Sequence, residues 1–286
     1  MISISVLLTC FNRRPTTLAA LERLFRQDCI AEVNLEVFLV DDGSSDGTGD
    51  AVKAQFPQVH VVQGDGSLYW NGGMRTAMGL ALQRDLDYYV WLNDDTILLP
   101  DALRRMLKTE ELLRARGLAT AIVVGSTCDP RTGLLTYGGV VRSSPWRTLK
   151  FALVPPGDTA LPCHTMNGNF VLIPRSVAAL VGNVSPEFTQ SAGDFDYGLR
   201  AHRLGCTTWV APGLVGTCAR NPVARTWQDR TLSLRERWAN LNSPKGLPPQ
   251  TWWTFARRHA GLMWPAYAVW PYLKVVASSL SHRKLR

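Results

Sequence analysis

The run Tyr88-Tyr89-Val90-Trp91-Leu92-Asn93-Asp94-Asp95 constrains the fold more than any other part of this chain. Its apolar, aromatic half reads as a buried strand, and the strand stops abruptly on two adjacent carboxylates. In an open α/β sheet, ligands bind outside the carboxyl ends of the strands, so an acidic pair placed there can do chemistry. Two neighbouring carboxylates repel unless something positive sits between or beyond them, and a divalent cation bridging phosphate oxygens is the usual partner. The plainer reading is an acidic turn closing a strand, since Asn and Asp favour turns for local reasons.

The N-terminal residues supply the context. Ile2-Ser3-Ile4-Ser5-Val6-Leu7-Leu8-Thr9 alternates and then runs apolar, as a buried strand does. Cys10-Phe11-Asn12 follows, then a helical stretch over 16–27 with Leu18, Leu21, Leu24 and Phe25 on one face. A second strand over 35–40 ends on Asp41-Asp42 and the turn-rich Gly43-Ser44-Ser45-Asp46-Gly47-Thr48. A third strand is predicted over 58–62 and a further helix over 73–84. This alternation implies an α/β chain with a parallel sheet wrapped by helices, in which acidic groups from two strand exits converge on one crevice.

The segments Thr9-Cys10-Phe11-Asn12, Val40-Asp41-Asp42-Gly43-Ser44, Asn71-Gly72-Gly73, Asn93-Asp94-Asp95 and Gly193-Asp194-Phe195-Asp196 occur in a telling order. Over roughly residues 1 to 220 that ordered set resembles the inverting glycosyltransferases of family 2; each motif is weak alone and the set is specific. A narrower resemblance, to bacterial rhamnosyltransferase-like enzymes of cell-surface polysaccharide synthesis, is carried by Ser243-Pro244-Lys245-Gly246-Leu247-Pro248-Pro249 and Arg257-Arg258-His259-Ala260-Gly261. The resemblance implies a GT-A fold, Rossmann-like and mostly parallel, flanked by helices and followed by a helical C-terminal appendage. It places a catalytic domain over 1–225, with a nucleotide-sugar part over 1–125 and an acceptor part over 126–225, and a helical extension over 226–286. It also implies a dTDP- or UDP-sugar donor with rhamnose favoured, a glycan or lipid-linked glycan acceptor, and a divalent cation, Mg²⁺ or Mn²⁺.

Residue by residue, the resemblance makes Asp95 the metal ligand and Asp94 its partner toward the donor ribose and sugar. Asp42 matches the residue that bonds the pyrimidine base, with Asp41 beside it, and Thr9, Phe11, Asn12 and Asn93 fall in the donor-binding motifs. Glycines let a backbone approach a ligand closely, so Gly72-Gly73 is expected to open a helix whose N-terminus faces phosphate, with Arg75 adding charge-assisted bonds. Tyr69 and Trp70 read either as a wall for the sugars or as ordinary core aromatics. Residues 193–205 read as a helix ended by Gly205, with Phe195 and Leu199 on its apolar face. The family places its catalytic carboxylate at Asp194, commonly after Glu, where this chain has Gly193; Asp196 is the second candidate. Acids in a first turn are also favoured by the helix dipole alone. Relatives often supply a late His near the metal, whereas Gly216-Thr217-Cys218-Ala219-Arg220-Asn221 has none, so no third protein ligand is expected. In the acceptor part, Asn167 and Asn169 suit acceptor hydroxyls, and turn geometry explains them equally well. A short helix over 234–241 lies in a stretch that reads as a lid or as a connector.

Global properties bound these readings. Hydrophobic content of 46% in 286 residues excludes a disordered chain. Six scattered cysteines without metal-ligand spacing predict reduced, buried thiols of a cytosolic protein, and no secretory signal is visible. The net charge of +8 comes with no nucleic-acid recognition motif, so nucleic acid is not expected as a partner. Arg257, Arg258, Lys274, Arg283, Lys284 and Arg286 flank an aromatic stretch over 262–280 that Pro265, Pro271 and Lys274 make a poor spanning helix. It suits an anionic membrane surface on the inner face of the plasma membrane, or a helical pair packed on the catalytic domain. Rival classes fit less well. A sugar-1-phosphate nucleotidyltransferase would carry a Gly-rich loop with Arg after the first strand, and a dinucleotide-dependent oxidoreductase would carry G-x-G-x-x-G there. A non-catalytic lipid- or polymer-binding protein would leave the acidic strand ends unexplained.

Overall fold

A computed structural model describes residues 1–144 and 146–283, with side chains through Ser279. The N-terminal part alternates as expected: β1 (Ile2–Cys10), α1 (Arg14–Phe25), β2 (Val33–Asp41), α2 (Thr48–Gln55), β3 (Val59–Gln63), α3 (Tyr69–Ala81) and β4 (Tyr88–Leu92). Short β5 (Ile97–Leu98) precedes α4 (Ala102–Ala115) and β6 (Ala121–Cys128). Five short strands follow, β7 (Leu135–Tyr137), β8 (Gly139–Arg142), β9 (Phe151–Leu153), β10 (Leu161–Cys163) and β11 (Thr165–Met166). Then come β12 (Phe170–Pro174), α5 (Arg175–Val181), α6 (Gly193–Arg203) and β13 (Thr207–Thr217), and the C-terminal helices α7 (Leu234–Asn242), α8 (Pro249–His259) and α9 (Trp264–Arg283).

The central sheet runs β10-β13-β6-β12-β4-β1-β2-β3, and β11-β8-β9 form a small second sheet. β3, β2, β1 and β4 are mutually parallel, as the alternation predicts. Beyond β4 the sheet is mixed, in keeping with a mostly parallel arrangement: β12 runs antiparallel to both β4 and β6, and β13 parallel to β6. Side-chain period is the reason the strands bury both faces. Val6, Leu8, Leu39 and Val90 pack with Leu21 and Leu24 of α1 and Met106 of α4. Leu7, Phe38, Val40 and Trp91 pack on the other side with Met74 and Met78 of α3 and Tyr197 of α6. Register then fixes the site: Cys10 lies beside Asp41, and Leu7 beside Trp91. The exits of β2, β1 and β4 therefore share one edge of the sheet.

α3 begins at Tyr69 rather than at Gly73, because the Asp42 carboxylate accepts the backbone N–H groups of Gly66 (2.9 Å), Leu68 (3.2 Å) and Tyr69 (2.8 Å). A side chain distant in sequence thus caps the helix start. Gly73 falls inside α3, where a Cβ would stand 2.1 Å from Thr9 Oγ1; its role is close packing of helix on strand.

The C-terminal helices form the packed arrangement that was one of two expectations. The capping box of Ser233 and Glu236 starts α7, and buried Arg237 donates to Ser278 and Ser279 of α9. Pro271 stands inside α9 and lacks the N–H that would bond the Tyr267 carbonyl. The Trp252 indole N–H of α8 fills that place at 2.8 Å. Lys284 and Arg286, two of the basic residues expected at the end of the chain, lie outside the described residues.

Candidate active site

Two cavities sit at the shared sheet edge. The first, of about 340 Å³, is lined by Thr9 and Phe11 from β1 and its exit, Asp42 just past β2, Asp94 just past β4, and Arg13 and Lys245. The acidic groups of two strand exits do face one crevice. Asp42 spends three of its four acceptor sites on backbone N–H groups, which leaves one for a ligand.

The positive group between the two carboxylates is Arg13. Its Nη1 donates to Asp94 Oδ1 at 3.2 Å and to Asp95 Oδ2 at 2.7 Å. Burial pushes the Asp94 carboxyl up to about 7, with Arg13 pulling it down and Asp95 pushing it further up. The thiol of Cys218 points at Asp95 Oδ1 from 3.4 Å, and burial together with Asp95 raises its pKa to about 12. Among the described residues no group of three His, Cys, Asp or Glu is placed to hold a metal ion. The donor set nevertheless suits a hard divalent cation: Asp95 offers partly exposed carboxylate oxygens, and the protonated thiol is no competitor for such an ion.

The second cavity, of about 280 Å³, adjoins the first across Trp70 and Gln190, which line both. Asp95, Asn93, Asn167, Asn169 and Asp194 all line it. Trp70 is fixed by its indole N–H to Asn93 Oδ1 at 2.7 Å. Asn167 Oδ1 accepts from Gly138 N–H at 3.3 Å, and Asn169 is buried with its amide donating to Cys218 Sγ. Asp194 sits in the first turn of α6. Its carboxylate accepts the N–H groups of Phe195 (2.8 Å) and Gly168 (3.1 Å), and burial outweighs these bonds, pushing its pKa up to about 6. Two non-glycine residues that line the cavities, Tyr69 and Ala192, hold left-handed φ angles of 53° and 71°. Such conformations persist where surrounding structure enforces them and they cluster at functional sites.

The profile of glycosyl transferase family 2 matches residues 5–170, more than half of the chain. The chain belongs to that family. No curated protein matches it. Among solved structures, the mannosyltransferase PcManGT from Pyrobaculum calidifontis, in complex with GDP-Man and Mn²⁺, shares the fold at 20% sequence identity and a TM-score of 0.58. The match covers 96% of this chain and 73% of that one.

In this glycosyltransferase several residues singled out by sequence stand elsewhere. Asp196 is fully buried and saturated: its carboxylate accepts from Arg200 Nε (2.8 Å), Arg258 Nη1 (3.2 Å) and His259 Nε2 (2.9 Å). Burial raises its pKa, and the bonds from His259 and Arg200 reverse this, leaving it below the usual carboxylate range. It points into the interior, away from both cavities, and holds α8 to α6. Arg75 turns away as well, donating to the Val184 carbonyl at 2.6 Å. Gly72 and Gly73 lie within α3, not at its opening. Asn12 ties two loops together through Ser45 N–H and Ser44 Oγ, and Asp41 holds the β2–α2 turn through Ser44 and Gly49 N–H groups. Gly193 has a physical reason to replace the family's Glu, because a Cβ there would stand 1.7 Å from Asn71 Oδ1. Sequence reasoning missed Arg13, Gln190 and Lys245. Arg13 carried a signal, since it follows the exit of β1, the strand alongside β4.

Proposed function

We propose that the protein is an inverting glycosyltransferase that moves a sugar from a nucleotide-sugar donor to a hydroxyl of a glycan or lipid-linked glycan. One observation carries this reading: Asp194 shares a cavity with Asp95, beside the cleft that holds Asp94 and Asp42. The free acceptor site of Asp42 suits the base of the nucleotide. Arg13 and Lys245 on the same cleft suit the diphosphate, which charge-assisted bonds hold most strongly. Asp95 would hold Mg²⁺ or Mn²⁺, whose chemistry is to neutralise charge on the departing diphosphate, with Asp94 turned toward the donor ribose and sugar. The Mn²⁺ and GDP-Man carried by the mannosyltransferase of like fold support both inferences.

Asp194 acts on the acceptor. With a pKa near 6 it is mostly ionised at neutral pH and still basic enough to take the hydroxyl proton as that oxygen attacks the anomeric carbon. Trp70, between the two cavities, bounds the sugar, and Asn93, Asn167 and Asn169 orient hydroxyls. A single displacement inverts the anomeric configuration. The finer reading is a dTDP- or UDP-sugar donor, rhamnose in particular, in cytoplasmic synthesis of cell-surface polysaccharide. It is supported by the resemblance over 243–249 and 257–261. Residues 1–225 form the catalytic part in this reading, and 226–286 a helical extension.

The test is a panel of nucleotide sugars incubated with the protein, Mn²⁺ or Mg²⁺ and glycan acceptors, followed by product NMR. Metal-dependent release of nucleoside diphosphate with inverted product is expected. Release of pyrophosphate from nucleoside triphosphate, or a retained configuration, would overturn the assignment.

A further inference from the structure

A second kind of surface lies outside the active site. A groove of about 820 Å³ runs between the 146–151 loop and the C-terminal helices, walled by Trp146 and Phe151 on one side and Trp252, Tyr267 and Trp270 on the other. It is open to solvent: Trp146 is 89% and Trp270 61% exposed, and nearby Leu262 is 99%, Met263 60% and Leu273 57% exposed. Scattered exposed apolar residues are ordinary, but a continuous patch of this kind marks an interaction site. The charges on the groove have one sign. Arg147, Lys150 and Lys274 line it, and among the described residues no Asp or Glu does.

We propose that this groove and the outer face of α9 dock on an anionic bilayer surface. Indole and phenol rings combine an apolar body with a polar edge, and Lys and Arg reach from an apolar face to charged headgroups, which is the chemistry of the membrane interface. Among the described residues no helix is long and apolar enough to cross a membrane, so α9 lies along the surface. Charge complementarity selects this occupant over a second copy of the chain. A two-fold interface would set Arg147, Lys150 and Lys274 against their own kind and carry no acid to offset them. The groove also stands next to the acceptor cavity. Phe151 meets Phe195, the neighbour of Asp194, edge to face at 5.1 Å, and the Gly246 carbonyl beside groove-lining Leu247 accepts from Ser191. Docking here would turn the cavity that holds Asp194 toward the lipid headgroups.

The experiment is co-sedimentation of the full chain with vesicles of phosphatidylcholine alone and of phosphatidylcholine with phosphatidylglycerol, at low and high salt. Binding to the anionic vesicles that weakens with salt is expected, with little binding to the neutral ones. Each basic residue near an anionic surface contributes about fivefold, so Arg147→Glu, Lys150→Glu and Lys274→Glu together should weaken binding by about a hundredfold or more. Trp146→Ala with Trp270→Ala should reduce the quenching of tryptophan fluorescence by brominated lipid, leaving the part that comes from Trp252. Near-UV circular dichroism checks the fold of the variants, and the salt response of the unaltered chain tests the proposal without them. Absence of binding at low salt, equal binding to both vesicles, or variants that bind like the parent would overturn it. So would a dimer seen by light scattering that these same variants dissolve.

Discussion

Replacing Asp194 by Asn should inactivate the protein and stabilise it at the same time. The carboxyl is raised from its ordinary value of 3.8 to about 6, mainly by burial. At 1.4 kcal/mol per pH unit, keeping it ionised costs the folded state at most about 3 kcal/mol at neutral pH. The amide carries no charge, and its single acceptor oxygen forfeits one of the bonds from Phe195 and Gly168 N–H, worth about 1 kcal/mol. The net gain is about 2 kcal/mol. Its pH dependence has a definite sign. The folded chain binds more protons at this site than the unfolded chain between pH 3.8 and about 6, so parent stability falls as pH rises through that window. The advantage of the Asp194→Asn variant is therefore full at pH 8 and absent at or below the unfolded value. Urea unfolding of both proteins at pH 8 and at pH 3.5 measures it. Turnover should fall by about a hundredfold or more, while parent kcat/KM rises through pH 6 and levels above it. A variant with parent turnover, or one no more stable at pH 8 than at pH 3.5 relative to the parent, would refute the reasoning.

Asp196→Asn should act on folding rather than on the acceptor proton, because it leaves Arg200 and Arg258 facing a neutral amide in the interior. A loss of about 3–5 kcal/mol in urea unfolding is expected, and the pH–rate profile of whatever folds should keep its inflection near 6. Asp95→Asn keeps the shape at the β4 exit and removes charge, so activity at limiting Mn²⁺ should collapse; parent-like turnover there would remove Asp95 as the metal ligand. Gly73→Ala places a methyl 2.1 Å from Thr9 Oγ1 and should cost about 2 kcal/mol by denaturant unfolding, despite the better helix propensity of alanine.

The parts of the fold that were legible in the sequence are those with short connections and unbroken period. β1, β2 and β4 bury both faces over most of their length, so they read as apolar runs, and the acidic ends of β2 and β4 located the cleft. What escaped was set by distant groups. The start of α3 depends on the Asp42 carboxylate, and the insertion of β12 between β4 and β6 leaves no mark in the local pattern of either neighbour. Asp194 and Asp196 looked alike as acids in one first turn. They stand about 200° apart around a helix axis, so only one could face the cavity; deciding which needed Arg258 and His259, carried by α8.

That attachment of α8 to α6 bears on how the protein can be cut and recombined. Two of the three groups that satisfy Asp196 come from α8, and all three lie beyond the residues matched by the family profile. A fragment that stops before α8 would strand a buried carboxylate with Arg200 alone, and a chimera that exchanges the C-terminal helices for those of another member would do the same wherever the donor lacks an Arg-His pair in register. Grafts that aim to change the acceptor should therefore move residues 185–203 together with 255–260 as one block, although more than fifty residues of sequence lie between them.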